Sequence, residues 1–165
     1  MTGLTGGCQC GAVRFRVTDG AAGRASICYC RMCQKAFGAF YAPLVTYAAE
    51  EVAWTRGEPA RWRSSNHARR GFCPACGTPL TYEVDGDGVS LAIGAFDDPT
   101  LVPPTKQWGI ERELPFTATL ASLPGRTTAD SAADAPYLAD IVSYQHPDHD
   151  TDTWPPEDGR PEEDR

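Results

Sequence analysis

The sequence predicts a mainly β protein: a small domain of short antiparallel strands with minor helical turns, crosslinked by zinc. Three observations carry this. Glycine and proline supply 16 and 14 of the 165 residues, a density of turn formers that favours short strands over long helices. Apolar residues alternate at period two over short stretches, as in GAVRFRVT from Gly11 to Thr18, which is the mark of a half-buried strand. Seven cysteines fall into three tight groups, a supply of metal ligands for a chain whose length allows one modest core.

The elements follow in order. In Gly11–Thr18, Val13, Phe15 and Val17 face one way and Ala12, Arg14 and Arg16 the other. Ala25 to Cys28 reads as a second short strand. Arg31 to Gly38 (RMCQKAFG) is the best helix candidate. Ala39 to Tyr47, Val52 to Arg56 and Ala60 to Ser64 read as strands, being rich in β-branched and aromatic residues between turn formers. Ser65-Asn66-His67-Ala68 is a turn, and Arg69-Arg70-Gly71-Phe72 leads into a cysteine pair. Leu80–Val84 and Val89–Ala95 form a hairpin about Asp85-Gly86-Asp87-Gly88, a strong turn signal. Leu114 to Leu120 is expected to be the last strand. Composition shifts at Pro124, which divides the chain into a zinc-binding domain, 1–124, and a linker with an acidic tail, 125–165. Residues 136–144 (PYLADIVSY) are expected to dock on the body, and the chain is expected to be disordered from 145.

The formal net charge of -7 sits mostly in that tail. Residues 145–165 hold eight acids and two bases, leaving 14 acids and 13 bases elsewhere. A near-neutral body argues against nucleic acid as a partner, since phosphate binding needs an excess of Lys and Arg. No apolar run approaches the roughly 20 residues of a membrane span. The opening MTGLTGGCQC lacks the basic-then-apolar pattern of an export signal, so a cytoplasmic, reducing location is expected.

Seven cysteines cannot all pair. Cys8 and Cys10 form C-x-C, Cys28, Cys30 and Cys33 form C-x-C-x-x-C, and Cys73 and Cys76 form C-x-x-C. Thiols so spaced on tight turns converge on a point, as a tetrahedral metal at about 2.3 Å from each sulfur requires. Gly77, after the last thiol, is expected to let backbone N–H groups turn toward the sulfurs. Spacing keeps the triplet 28/30/33 together and joins the two remote pairs, although 28/30 with 73/76 also satisfies the geometry. The first grouping gives one saturated four-thiolate site and one three-thiolate site with a vacant position. Saturation is the property of a structural zinc and vacancy that of a catalytic one. Three readings compete: buried thiols acting as small hydrophobes, two structural sites with His67 or water completing the triplet, and a redox pair at Cys73/Cys76. The last lacks its expected helix, because Gly77, Pro79 and a strand follow.

Three motifs in one order, GGCQCGAVRF, CYCRMCQKAFGA and RRGFCPACGTPL, resemble the glutathione-dependent formaldehyde-activating enzyme family, which includes the centromere protein V domain. The segment Trp108 to Phe116 (WGIERELPF) resembles that family's closing motif, and the likeness spans Gly6 to Phe116. It implies a zinc-stabilised β-tent. It implies a structural zinc on Cys8, Cys10, Cys73 and Cys76 and a catalytic zinc on Cys28, Cys30 and Cys33. It implies a carbon–sulfur lyase like S-(hydroxymethyl)glutathione synthase, with a small thiol such as glutathione and a small aldehyde such as formaldehyde as partners. Tyr29 stands where members often carry His, and Lys106-Gln107-Trp108 where many have His; the metal positions are intact.

A thiol entering the vacant position would lose its proton near neutral pH, and its sulfur would attack an aldehyde carbon. Four thiolates on one zinc carry -2, which nearby cations would offset. Arg31 and Lys35 flank the triplet for that purpose. Arg69 and Arg70 are candidates to bind the carboxylates of a peptide-like thiol. Tyr29 and His67 are candidate proton donors. Two other functions use the same cysteines: a non-catalytic zinc-binding interaction module and a thiol or redox sensor.

Overall fold

The computed structural model describes residues 3–18, 21, 23–131 and 134–154. The chain is mainly β, in two sheets. The smaller one pairs β1 (Thr5–Gly7), β2 (Arg14–Val17) and β5 (Val52–Arg56). The larger has seven strands in the order β10-β3-β4-β9-β8-β7-β6. These are β3 (Arg24–Cys28), β4 (Ala42–Tyr47), β6 (Ala60–Arg63), β7 (Ala68–Phe72), β8 (Pro79–Val84), β9 (Val89–Ala92) and β10 (Lys106–Trp108). All pairs are antiparallel except β10 on β3. The helix α1 (Arg31–Phe37) stops at Gly38, whose φ of 58° is the left-handed conformation that ends helices.

The core lies between the sheets. Phe15, fully buried, meets Trp54 and Phe96 edge-on at ring separations of 6.0 and 5.1 Å. Side chains alternate across a strand, so Ala25, Val45 and Leu91 of the large sheet turn into this core. Their neighbours Arg24, Ser26, Leu44, Thr46 and Ser90 turn to the opposite face. Gly6 packs against the Phe15 ring: a Cβ there would lie 2.5 Å from it and 2.3 Å from the Ala95 carbonyl.

Three expectations are corrected. Leu114–Leu120 is not a strand; Thr117–Ser122 forms a 3-10 stretch. Thr117, Thr119 and Ser122 hydroxyls donate to the carbonyls three residues back, at 2.7, 3.0 and 2.8 Å, which competes with a ladder. The last strand among the described residues is β10, too short to show periodicity. Residues 136–144 do not bury their apolar groups, since Tyr137, Ile141 and Val142 are exposed. The packed segment is instead 145–154, where the acidic composition predicts disorder; 155–165 lie outside the described residues.

Charge explains that packing. Arg14 is buried and is met in the fork by both Asp97 oxygens, at 2.8 and 2.6 Å, while Asp150 from the tail accepts from it at 2.8 Å. Asp150 also takes Arg16 at 2.6 Å. The His146 amide donates to the Gln9 carbonyl at 2.8 Å, and the Trp154 indole N–H to the Cys10 carbonyl. Burial, then the Arg14 charge, holds the His146 ring below the usual histidine pKa. Gly11, at φ 75°, leaves room for both rings, since a Cβ there would lie 2.4 Å from each. Truncation after Tyr144 is therefore expected to destabilise the protein by about 2 kcal/mol, from the lost charged hydrogen bond. In differential scanning calorimetry that is a fall of roughly 4–8 °C; an unchanged midpoint would show these contacts carry no weight.

Candidate metal centres

Cys8 and Cys10 sit on the turn between β1 and β2, and Cys73 and Cys76 on the turn between β7 and β8. The fold brings the two turns together. Their four sulfurs lie within 4.8 Å of one another, with Cys8–Cys10 at 3.5 Å and Cys10–Cys73 at 3.8 Å. A tetrahedron of sulfurs around zinc has edges of about 3.8 Å, so this donor set fits that ion. Cys28, Cys30 and Cys33, at the end of β3 and the start of α1, form a second group within the same limit. Both groups could hold a metal ion, and the grouping is the one that keeps the triplet together. All seven cysteines are free.

The first knuckle is braced by more than its cysteines. The Cys8 sulfur accepts from the Val13 amide at 3.2 Å. Gly77 adopts φ 77°, but its N–H donates to the Cys73 carbonyl at 2.9 Å rather than to a sulfur. The amides of Cys76 and Ala75 reach the Cys73 sulfur instead. Thr78 accepts from the Gln9 amide at 3.1 Å and donates to the Cys76 sulfur at 3.1 Å, tying one turn to the other. No spacing rule singles out Thr78. Burial pushes up the Cys8, Cys10 and Cys73 thiols. Burial pushes Cys76 the same way, but Thr78 and the Cys10 amide outweigh it and bring that thiol to about 6.

The triplet opens on a cavity of about 630 Å³. Its floor is the outer face of the large sheet, with Leu44, Thr46, Tyr82 and Ser90, and Met32 and Trp108 contribute to its wall. Burial pushes the Cys28 thiol up to about 12 and also raises Cys33, against the pull of Arg70. At the Cys30 thiol, burial is outweighed by hydrogen bonds from the Cys33 amide, from the Cys28 and Cys33 thiols and from the Met32 amide, and the pKa falls. Three closely spaced, desolvated thiols resist joint ionisation without a cation to offset them.

Residues outside the cysteine motifs fix the triplet loop. Gln34 is buried and its side-chain amide donates to the Tyr29 and Arg112 carbonyls, at 2.8 and 3.0 Å. The Tyr29 amide donates to the Trp108 carbonyl at 2.8 Å. Gly109, at φ 64°, passes so close that a Cβ would lie 2.9 Å from the Cys30 nitrogen. The segment Trp108–Phe116 thus abuts the triplet through its backbone.

A model of the glutathione-dependent formaldehyde-activating enzyme family matches residues 3–111. The chain belongs to this family. No curated protein matches it. A solved Rhodobacter sphaeroides protein is 20% identical over 62% of this chain and 98% of that one, with a TM-score of 0.49. That likeness is too slight to bear on function.

For this family member, the four basic candidates separate by face. Arg70 turns to the outer face of the large sheet, with Tyr82, and lines the triplet cavity. Arg69, next to it on β7, turns to the other face, lies 4.0 Å from Asp85 and lines a different cavity. Arg31 is exposed and donates to Gln34 at 3.1 Å. Lys35 is exposed on α1. His67 is exposed, 2.9 Å from the Asn66 amide, and belongs to neither cysteine group. Tyr29 is buried edge-on against Tyr41 at 5.7 Å, a packing role. Among the described residues no helix is long and apolar enough to cross a membrane.

Proposed function

We propose that the protein is a zinc-dependent carbon–sulfur lyase of the S-(hydroxymethyl)glutathione synthase type, joining a small thiol such as glutathione to formaldehyde or another small aldehyde. One observation supports this above the rest: four thiols close one group, three make the other, and the three open on a cavity large enough for a tripeptide-sized thiol. The residues of the four-thiol set, Cys8, Cys10, Cys73 and Cys76, would hold a structural zinc. Cys28, Cys30 and Cys33 would hold a catalytic one with a position to spare. Zinc so held supplies a Lewis acid that favours the ionised form of an incoming thiol.

The chain's own residues then have distinct tasks. Gln34 and Gly109 keep the triplet loop in place. Leu44, Met32 and Trp108 present apolar surface that displaces water from the substrate. In synthesis the thiolate sulfur attacks the aldehyde carbon, the carbon–sulfur bond forms, and the carbonyl π pair moves to oxygen, which takes a proton from water. Cleavage is the reverse, with thiolate leaving.

The test combines metal content with ligand access. Freshly purified protein is expected to hold two zinc ions per chain, one of them shielded from a chelator by added glutathione. Two-dimensional exchange NMR is expected to show faster interconversion of glutathione, formaldehyde and their adduct, lost when the labile zinc is removed. Two equally inert ions would make the protein a non-catalytic zinc module. Reversible release of one ion by mild peroxide, without exchange activity, would make it a redox sensor.

A further inference from the structure

Cys33 has a charged neighbour that its sequence position does not reveal. Arg70 is 37 residues away, on β7, which β4, β9 and β8 separate from the β3 strand that leads to Cys33, yet its Nη2 donates to the Cys33 sulfur at 3.4 Å. The Arg70 side chain belongs to a residue only 5% exposed. Its Nη1 is buried with no hydrogen-bond partner. The Tyr82 ring lies against its guanidinium carbon at 4.8 Å and holds the plane of the fork. Among the described residues no carboxylate pairs with it. The other buried arginine, Arg14, is met by Asp97 and Asp150.

A buried cation without a counter-ion is costly unless a negative group stands nearby. Among the described residues the hydrogen-bond acceptor beside it is the Cys33 sulfur. A neutral thiol accepts hydrogen bonds weakly, whereas charge-assisted bonds to an ionised group are about twice as strong. The fork therefore carries more donor capacity than the triplet absorbs in its thiol form, and the spare arm lies beside the engaged one.

We propose that Arg70 is the counter-charge of the triplet, a positioning residue that lets the cavity accept a further anionic sulfur and discriminates thiolates from neutral ligands. Three thiolates on a divalent ion leave a formal charge of -1, and an incoming thiolate makes it -2. Arg70 returns the assembly to -1 without solvent. Arg31 and Lys35 are adjacent in sequence but exposed, where water screens their charge. The inference rests on the reading that the triplet holds a metal with an open position; it adds which residue makes that position selective for anionic sulfur.

The test uses full-length protein loaded with cobalt(II), whose thiolate charge-transfer absorption reports each sulfur bound. The probes are 2-mercaptoethanol, which binds as an anion, and imidazole, which binds neutral. Arg70→Met is expected to weaken 2-mercaptoethanol at least ~10-fold and leave imidazole within about 2-fold, as removal of one partner of a buried charge pair should. Arg70→Lys is expected to restore most of the thiol affinity. Should Arg70→Met lose its fold by circular dichroism, Arg70→Gln and Arg70→Lys carry the comparison. Equal weakening of both probes would reduce Arg70 to a packing role, and undiminished thiol binding would remove it from the site; either overturns the inference. Failure of the wild type to bind 2-mercaptoethanol at all would instead sink the lyase reading.

Discussion

Cys73→Ser is expected to abolish cooperative unfolding of the protein and to release the zinc of the four-thiol group. Cys73 is fully buried and lies in the knuckle that joins the β7–β8 turn to the β1–β2 turn 63 residues earlier. Those strands belong to different sheets. A metal held there would tie the two sheets across the core, in a chain whose core is modest. Binding of a structural zinc contributes on the order of 10 kcal/mol to folding, comparable with the whole stability of a domain this size. Serine keeps the volume but supplies a poor zinc ligand, and it leaves the Cys76 and Ala75 amides without the sulfur they face. Near-ultraviolet circular dichroism on heating, with zinc quantified by mass spectrometry, reads the result. A sharp melting transition within a few degrees of wild type would show that the four-thiol group does not hold the sheets together.

Cys30→Ser is expected to give the opposite pattern: a folded protein with one zinc and at least ~100-fold slower thiol–aldehyde exchange, a loss of about 2.7 kcal/mol in transition-state stabilisation. Cys30 is only partly buried at the head of α1, on a loop held by Gln34, Tyr29 and the Gly109 backbone. None of these contacts uses the Cys30 sulfur, so the loop should survive its loss. The comparison is decisive because both substitutions are cysteine to serine. If the two variants lose structure to the same degree, the division between a closed and an open centre fails.

Much of this fold is legible in the sequence. Alternation from Val13 to Val17 gives the strand that buries Phe15, and Asp85 to Gly88 gives the hairpin turn between β8 and β9. RMCQKAFG gives α1 and its glycine stop. Each is a local signal, fixed by period or by backbone conformation. Two of the three failures are non-local. β10 is three residues long and exists because it pairs with β3. Leu114–Leu120 has apolar content suited to a strand, but Pro115 lacks a ladder N–H and the Thr117 and Thr119 hydroxyls satisfy backbone carbonyls locally. The acidic tail has the composition of a solvated segment, and Arg14 recruits Asp150 from it.

The seven cysteines and their spacing mark out candidate metal ligands but leave 28/30 with 73/76 open as a grouping, which the fold decides by bringing Cys8 and Cys10 to Cys73 and Cys76; the motif order carries the family resemblance. Which cation faces the triplet is a different kind of question. Arg69 and Arg70 are adjacent and chemically alike, and nothing in the chain ranks them. Successive residues of a strand point to opposite faces, so the register of β7 against β8 sends Arg70 to the Tyr82 side and the cavity, and Arg69 to the Glu83 side and solvent. Local periodicity sets which residues alternate. Only the pairing of distant strands sets which of the two faces becomes the site.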